Sequence, residues 1–364
     1  MRGGAVGWFA LMSPQVSPSV LHITDGDRKF IPQLIDLFKK DSDIGVHEFV
    51  VMSRDEGRRL EAHPFIPIRS LWAVRKLGRQ AAGFDAVVFH GLLDFHLVVA
   101  LRFAGLDFSK CYWAIWGGDL YCYTQRPGQL RTRFRNWVRK SLVRRLGHVL
   151  TFISGDVVWA RKWYGFRGAH HECLMYLSNT VQPQNGGSPR RQVDPTGWNV
   201  MVGNSGYDTN HHFEIFDRLL DQAGEGLGKV YCPLSYGNQS YIQEVVARGT
   251  VCFGDKFVPL LDFLPMAQYM RILDNVDAAI YGHRRQQAMG NSIALLGMGK
   301  KVFLRPDVPQ WNTFTDLGIK VYDFMDLTNP YCELGVQAEN LRIAREYFSE
   351  KNLARQYENI FSAG

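Results

Sequence analysis

Short apolar runs that end in polar, glycine-containing loops recur along this chain, and segments with helical spacing follow several of them. Short buried strands that alternate with helices are typical of parallel sheets, so the pattern predicts an α/β protein. A chain of 364 residues is long enough for two domains of ordinary size. The predicted strands are residues 20–23, 48–52, 86–89, 111–115, 149–153, 198–202, 229–234, 250–253, 277–281 and 301–304.

Residues 180–197 interrupt this pattern, because they are rich in Pro, Gly, Gln, Asn and Arg and poor in apolar side chains. Such a composition is typical of a linker between domains. The predicted division is a first domain at 15–182, a linker at 183–197, a second domain at 198–335 and a helical tail at 336–364. Two similar α/β halves predict paired Rossmann-like domains that face a cleft.

The composition excludes several classes of protein. Hydrophobic residues make up 46% of the chain, which is enough for real cores and argues against wholesale disorder. The longest apolar runs fall short of the roughly 18 residues that a membrane-spanning helix needs, so none is expected. The six cysteines form no CxxC pair, which is typical of a reducing cytoplasm and gives no indication of a zinc site.

The loop Gly203-Asn204-Ser205-Gly206 follows one predicted strand and precedes a helix. Glycines let a backbone approach a ligand closely, and the free amides at a helix start bind phosphate. Ligands of α/β domains bind at the carboxyl ends of strands, where this loop lies. A plain tight turn would have the same sequence, so the loop alone does not decide the matter.

A second loop follows the predicted strand at 277–281. It combines glycine residues, positively charged side chains and the start of a predicted helix. Guanidinium groups and free amides both favour anions, so the loop suits a pyrophosphate. The structural alternative is a solvated turn with surface arginines. The candidate ligand-binding residues are Arg284, Arg285, Gln286, Gly290, Asn291 and Ser292.

Side chains that could move a proton follow strands of the predicted first domain. Asp119 lies in the loop Trp116-Gly117-Gly118-Asp119, where a carboxylate could accept the proton of an acceptor hydroxyl. It could equally cap a helix, and its spacing does not decide between these roles. His90 and Asp25 occupy comparable strand ends and are weaker candidates.

The positive charge of the chain is concentrated in one segment. The formal net charge is +7, and residues 126–145 carry eight Arg and Lys side chains without one acid. A helix here would be basic and amphipathic, with Phe134 and Trp137 on its apolar side, and such helices attract anionic lipid headgroups. The apolar side could also pack in the core, and a nucleic-acid patch is the rival interpretation. The candidate membrane-binding residues are Arg131, Arg135, Arg139, Lys140 and Arg144.

Several blocks of the sequence match one enzyme family in order. The chain resembles the bacterial TDP-N-acetylfucosamine:lipid II N-acetylfucosaminyltransferases, also described as 4-alpha-L-fucosyltransferases, which help to build enterobacterial common antigen. The resemblance covers about residues 20–350. The matching blocks are residues 89–91, 113–121 (WAIWGGDLY), 202–206 (VGNSG) with Asn210, 233–237 with 241–242 and 244–245, and 285–287 with Gly290.

This resemblance implies a GT-B fold, in which the second domain holds a nucleotide diphosphate sugar and the first an undecaprenyl-pyrophosphate-linked saccharide. It implies a peripheral protein at the cytoplasmic side of the bacterial inner membrane. It also implies an enzyme that needs no cofactor and no bound metal. The segment 255–264 and the approach to Arg285 depart from the family pattern, so the sugar of the donor is not fixed by the resemblance.

The resulting hypothesis is a glycosyltransferase that moves a deoxy-aminosugar from a TDP-linked donor to the lipid-linked saccharide. In it, Gly203 to Gly206 line the phosphate side of the donor, and Arg284, Arg285 and Gln286 neutralise the leaving diphosphate. Asn291 and Ser292 add donors at a helix start, and Tyr236 stacks on the base or sugar. Asp119, with His90 in reserve, is the base or orients the acceptor. The alternatives are a nucleotide-sugar 2-epimerase on the same fold and a basic nucleic-acid-binding protein, although no nucleic-acid partner is expected.

Overall fold

The computed structural model of the chain describes residues 17–40, 44–125, 128–181, 197–223, 226–327 and 333–362. Nearly all of the predicted linker, 183–197, lies outside these ranges, as do the first two residues of the predicted first domain. No helix in the described ranges is long and apolar enough to cross a membrane.

The first half of the chain forms a sheet of seven parallel strands in the order β3-β2-β1-β4-β5-β6-β7. Strand β4 is buried at every residue, as expected of a strand covered on both faces. The strands are β1 (Ser19–Thr24), β2 (Val46–Ser53), β3 (Phe65–Pro67), β4 (Ala86–His90), β5 (Cys111–Ala114), β6 (His148–Leu150) and β7 (Ala169–His171). The helices are α1 (Ile31–Lys40), α2 (Leu71–Ala81), α3 (Phe95–Arg102), α4 (Gly118–Tyr121), α5 (Leu130–Val143) and α6 (Ser154–Trp159), which a π-helical turn at Ala160–Tyr164 extends.

The second half forms a sheet of six parallel strands in the order β10-β9-β8-β11-β12-β13. The strands are β8 (Trp198–Val202), β9 (Leu227–Pro233), β10 (Phe257–Leu260), β11 (Ala278–Tyr281), β12 (Lys301–Leu304) and β13 (Tyr322–Asp323). The helices are α7 (His212–Gln222), α8 (Gln239–Phe253), α9 (Met266–Asn275), α10 (Met289–Gly297), α11 (Pro309–Asp316), α12 (Leu334–Tyr347) and α13 (Glu350–Ser362). The α/β class and the two Rossmann-like domains of a GT-B fold are thereby confirmed.

The predicted strand at residues 250–253 is wrong, because these residues form the last turn of α8. The buried residues of α8 include Ile242, Val245, Gly249 and Phe253, whose spacing of three and four is helical rather than alternating. The strand of this region begins four residues later, as β10. Four residues are too few to show whether apolar side chains repeat with the period of a helix or of a strand.

The helical tail comprises two helices rather than one, with a break after α12 at Phe348. Helix α13 returns to the first domain: Tyr357 donates a hydrogen bond from its hydroxyl to the carbonyl of Met175 at 2.8 Å. The side-chain oxygen of Gln356 accepts from the backbone N–H of Leu174 at 2.8 Å. The last helix therefore packs in the core of the domain in which the chain began.

Candidate active site

Strand order reverses at one point in each sheet, between β1 and β4 in the first and between β8 and β11 in the second. In open parallel sheets the crevice outside such a switch point is where ligands bind. The loops after β8 and β11 are the two that the sequence predicts to hold the donor. Because β8 and β11 are neighbours in the sheet, both loops lie at the same crevice. Gln287 joins them by donating a hydrogen bond from Nε2 to Oδ1 of Asn204 at 3.1 Å.

Asn210 organises the loop after β8. Its Oδ1 accepts from the backbone N–H of Asn204 at 2.8 Å and lies 3.0 Å from Nε2 of His283. Its Nδ2 donates to Oγ of Ser205 at 2.9 Å, so this buried hydroxyl is used within the loop. A Cβ at Gly203, whose φ is +67°, would lie 2.8 Å from Oδ1 of Asn210. The loop therefore requires glycine at position 203.

Gly206, the last residue of this loop, contacts a third loop, which follows β9 and contains Tyr236 and Gly237. Gly206 donates from its N–H to the carbonyl of Tyr236 at 2.7 Å, and a Cβ at Gly237 would lie 2.2 Å from the carbonyl oxygen of Gly206. This close approach leaves the ring of Tyr236 about half exposed beside Tyr207, with ring centroids 6.4 Å apart. A flat aromatic surface of this kind suits a base or a sugar ring.

The loop after β11, residues 282–287, is called the arginine loop here, and it reaches the first domain. Arg284 is exposed, whereas the guanidinium of Arg285 lies 5.8 Å from the ring centroid of Tyr121. A Cβ at Gly117 would lie 2.3 Å from Oε1 of Gln286, so the loop Gly117–Tyr121 and the arginine loop are in contact. Arg285 is thus placed between the two domains, where an anionic ligand in the cleft would meet it.

Two predicted donor residues at the start of α10 are engaged inside the second domain. Ser292 is fully buried, donates from Oγ to the carbonyl of Ala288 and accepts from Nε2 of Gln310 at 2.8 Å. Its backbone N–H also bonds to Ala288, which corrects the prediction that Ser292 offers a free helix-start donor. Asn291 donates from Nδ2 to the hydroxyl of Tyr269 at 2.9 Å.

The helix start itself lies at the domain boundary. A Cβ at Gly290 would lie 2.8 Å from the carbonyl oxygen of Ser178, in the segment that leaves the first domain. Ala288, the residue before α10, has a φ of 59°, a strained value for a residue other than glycine. Strained backbone concentrates at functional sites, which agrees with a ligand at this helix start.

Both carboxylate oxygens of Asp119 are occupied. Oδ2 accepts from the backbone N–H of Leu92 at 2.9 Å and from Nε1 of Trp113 at 2.7 Å. Oδ1 accepts from the backbone N–H groups of Trp116 and Leu120, each at 3.0 Å. Burial raises the pKa of Asp119, and these hydrogen bonds oppose the rise. The carboxylate has zero exposure and four donors, so it fixes residues 116–119, the cleft loop. Its predicted role as base stays a prediction.

His90 belongs to a buried chain of hydrogen bonds. Nε1 of Trp116 donates to the hydroxyl of Tyr176 at 2.6 Å, and this hydroxyl lies 2.7 Å from Nδ1 of His90. Nε2 of His90 lies 2.8 Å from Nδ1 of His22, whose Nε2 lies 2.7 Å from Nδ1 of His47. Burial lowers the pKa of His90 to about 3, so it is neutral and both ring nitrogens are used. The chain positions Trp116 at the cleft.

Sequence reasoning missed Asp156, although it follows β6 in the same way that Asp119 follows β5. Its Oδ1 accepts from the hydroxyl of Tyr121 at 2.7 Å, and the guanidinium of Arg285 lies 5.8 Å from the ring centroid of this tyrosine. Burial raises the pKa of Asp156 to about 7, against the opposing effects of Tyr121 and Arg285. Its position in Ser154-Gly155-Asp156, directly after the predicted strand at 149–153, was the available signal. Burial is what distinguishes it, and burial is not visible in sequence.

The basic helix α5 divides its apolar residues between two surfaces. Val138 and Leu142 are buried in the core, whereas Leu130, Phe134 and Trp137 are 80%, 58% and 67% exposed. The exposed three are spaced by four and three residues and therefore lie along one stripe of the helix. Arg131, Lys140 and Arg144 are exposed beside them, and Arg135 is half-buried over the ring of Phe95.

Arg139 does not share this surface, which corrects its place among the predicted membrane-binding residues. It is 4% exposed and donates from Nε to the carbonyl of Leu92 at 3.1 Å and from Nη2 to the carbonyl of Leu93 at 3.2 Å. It therefore binds the carbonyl groups of the peptide segment whose N–H at Leu92 donates to Asp119. Among the described residues no group of three His, Cys, Asp or Glu side chains could bind a metal ion, and the expectation that none is needed stays a prediction.

Two parallel-sheet domains that face each other across a cleft, with glycine and arginine loops at the second switch point, have the architecture of the GT-B fold. The chain belongs to the 4-alpha-L-fucosyltransferase family, glycosyl transferase group 56, whose family model matches residues 33–345. The resemblance seen in the sequence is thereby confirmed, and the protein is a glycosyltransferase.

Solved structures show the same fold at low sequence identity. HepE of Anabaena, solved with UDP and glucose, is 14% identical with a TM-score of 0.66, covering 95% of this chain and 100% of that chain. WaaG, a glycosyltransferase involved in lipopolysaccharide biosynthesis, is 10% identical with a TM-score of 0.61 and the same coverage. WaaB, a lipopolysaccharide outer core galactosyltransferase, is 10% identical with a TM-score of 0.62, again with the same coverage.

Proposed function

We propose that this enzyme transfers a deoxy-aminosugar from a TDP-linked donor to an undecaprenyl-pyrophosphate-linked saccharide at the cytoplasmic face of a bacterial inner membrane. The observation that carries the donor half is the meeting of Gly203, Asn204 and the arginine loop at the second switch point. HepE, whose structure was solved with UDP and glucose, shares this architecture. TDP and the deoxy-aminosugar come from the family resemblance.

In this proposal the arginine loop stabilises the departing nucleoside diphosphate. Negative charge grows on the leaving phosphate as its bond to the sugar breaks, so fixed positive charge nearby lowers the barrier. Arg284 is exposed and free to approach, and Arg285 already lies between the domains. The amide of Gly290 at the start of α10 supplies a further donor, whereas the N–H groups of Gly203 and Asn204 are already bonded inside the second domain.

Nucleotide binding tests the donor half. We expect TDP to raise the melting temperature more than UDP or GDP does, because a ligand of the native state stabilises it by mass action. In Arg285→Ala the affinity for TDP should fall roughly 10- to 100-fold, since a hydrogen bond between charged groups contributes about 1.5–3 kcal/mol. Thermal shift titrations of both proteins measure this.

The matched control is Arg248→Ala, which removes an arginine on α8 that pairs with Asp217 at the surface of the same domain. It should bind TDP as the wild type does. Absence of a shift with all three nucleotides would contradict the donor proposal. A preference for UDP or GDP would contradict the TDP assignment alone.

The acceptor half rests on α5, where an exposed apolar stripe lies among exposed basic side chains. Trp137 and Phe134 can enter the interface between headgroups and acyl chains while the arginines meet anionic phosphates. This arrangement would keep the first domain at the membrane that carries a lipid-linked acceptor. Arg131, Arg135, Lys140 and Arg144 form the membrane-binding set in this proposal.

Vesicle binding tests the acceptor half. The combined variant Arg131→Gln, Lys140→Gln, Arg144→Gln should bind phosphatidylglycerol vesicles about 100-fold more weakly, because each basic residue near an anionic surface contributes about 1 kcal/mol. Phe134→Gln with Trp137→Gln should weaken binding as well. Phe263→Gln, which changes an apolar side chain 82% exposed in the second domain, is the control. Equal binding of all variants would contradict a membrane role for α5.

The alternatives predict different results. Family membership favours transfer over the 2-epimerase. A nucleic-acid-binding protein would bind generic duplex DNA with steep salt dependence. We expect DNA to leave sugar transfer unaffected, and strong DNA binding without donor turnover would favour that alternative.

A further inference from the structure

Asp25 occupies the switch point of the first sheet. It directly follows β1, and the neighbouring strand across the reversal of strand order is β4, which ends at His90. This crevice corresponds in the first domain to the one between β8 and β11 in the second. Since ligands of parallel sheets bind outside such reversals, a substrate held by the first domain would meet Asp25.

The carboxylate of Asp25 is half paired. Its Oδ2 lies 2.6 Å from Nη1 of Arg58, and its side chain is 20% exposed. Its Oδ1 is buried and has no hydrogen-bond partner among the described residues. A buried polar atom without a partner is costly, and most such atoms in folded proteins are paired. Oδ1 is therefore an unpaired acceptor at this switch point.

Asp119 and His90, the two candidates that the sequence favours, differ from Asp25 in this respect. Asp119 accepts four N–H hydrogen bonds, and His90 uses both ring nitrogens inside the domain. Neither can receive a proton from a ligand without breaking contacts that hold the cleft loop. Asp25 can receive one while it keeps Arg58.

The charges around Asp25 also suit a proton acceptor. Burial raises its pKa above the usual value for an aspartate, and the nearby carboxylates of Asp27 and Asp94 add to the rise. Arg58 opposes it, by charge and by a hydrogen bond. A carboxylate with a raised pKa accepts a proton more readily than an ordinary aspartate does.

We propose that Asp25 is the general base of the transfer reaction and that its Oδ1 accepts the proton of the acceptor hydroxyl. The hydroxyl oxygen forms a bond to C1 of the donor sugar while the bond from C1 to the β-phosphate oxygen breaks. The nucleoside diphosphate leaves with that electron pair, and the proton passes from the hydroxyl to Asp25. This inference depends on the proposed function in one respect, the identity of the acceptor as a lipid-linked saccharide.

The first test is Asp25→Asn, assayed with an undecaprenyl-pyrophosphate-linked saccharide and whichever of the TDP-, UDP- and GDP-linked sugars the wild type turns over. We expect kcat to fall about 1000-fold, within the range for loss of a general base. The thermal shift with the matching nucleotide should be retained. Use of a donor other than the TDP-sugar would contradict the proposed donor and leave the test of Asp25 intact.

The control is Asp107→Asn, which changes an exposed carboxylate that caps the helical turn Phe108–Lys110 by accepting from the N–H of Ser109 at 3.1 Å. Asparagine caps a helix about as well as aspartate does, so this variant should keep wild-type kcat. If Asp25→Asn keeps more than about a tenth of wild-type kcat, far above what loss of a general base leaves, Asp25 is not the base.

A second variant separates chemistry from structure. Arg58→Gln removes the cation that favours the ionised form of Asp25, so the pKa of Asp25 rises and the acid limb of kcat moves to higher pH. At alkaline pH kcat should recover. If Asp25 only anchors Arg58, then Arg58→Gln and Asp25→Asn will lower kcat alike at every pH, and this result would overturn the proposal.

Discussion

The variant Asp119→Asn is expected to melt about 10 °C below the wild type. The carboxylate accepts four N–H hydrogen bonds at zero exposure, and an amide offers one acceptor oxygen and an NH₂ group that faces two of those donors. Each buried donor left unpaired costs about 1–3 kcal/mol, so the free energy of unfolding should fall by roughly 3–5 kcal/mol. In domains of this size each kcal/mol corresponds to about 2–4 °C.

Arg139 adds to this effect. It holds the carbonyl of Leu92 while Asp119 holds the N–H of the same residue, and the carboxylate charge also balances the buried guanidinium. Removing one partner of a buried charge pair leaves the other uncompensated. Differential scanning calorimetry of Asp119→Asn beside Asp107→Asn, an exposed cap, measures the difference. A wild-type melting temperature combined with lost turnover would return Asp119 to the role of base.

The variant Asp156→Asn is expected to be more stable than the wild type, by a margin that grows as pH rises from 4 to 8. The pKa of Asp156 is raised from 3.8 to about 7 in the folded protein. Between these values the native state holds a proton that the unfolded state releases, so wild-type stability falls as pH rises. Asparagine does not titrate, so the stability of the variant does not fall with pH on account of this residue.

The size of the margin follows from the size of the shift. A displacement of about three pKa units corresponds to at most on the order of 4 kcal/mol, reached above pH 7 and absent near pH 4. Urea unfolding of both proteins across this range isolates Asp156, because the other titrating groups are common to both. Asp221→Asn, an exposed carboxylate on α7, should show no such trend. A margin that does not change with pH would show that Asp156 is ionised in the folded protein.

The fold was predictable because its signals are local. Strand β11 is a short buried run, Gly282 ends it, and helical spacing resumes at Met289, so the order of elements is visible in the sequence. Local signals also explain the error at residues 250–253, where β-branched Thr250 and Val251 favour a strand over a short window. The wider spacing of Ile242, Val245 and Phe253 belongs to a helix.

The site was predictable only where its residues are contiguous. The loop at Gly203 and the arginine loop are each visible as predictions in the sequence, but contacts that hold them join distant parts of the chain, as those of Gly206 with Tyr236 and of Gln286 with Gly117 do. Arg139 and Lys140 are adjacent on one basic helix, yet only Lys140 is exposed. Which arginine turns inward depends on the carbonyl groups of Leu92 and Leu93, and the sequence does not reveal that contact.

The path of the chain between its domains constrains how the cleft can change shape. The chain leaves the first domain after Val181 and comes back after Phe348, and the N–H of Val181 donates to the carbonyl of Phe348 at 2.6 Å. Two crossings fastened to each other act as a single pivot, which permits rotation about that point and resists sliding of one domain past the other. Since Gly290 touches Ser178 close to this pivot, the start of α10 moves least. The larger displacement falls on loops farther from the pivot.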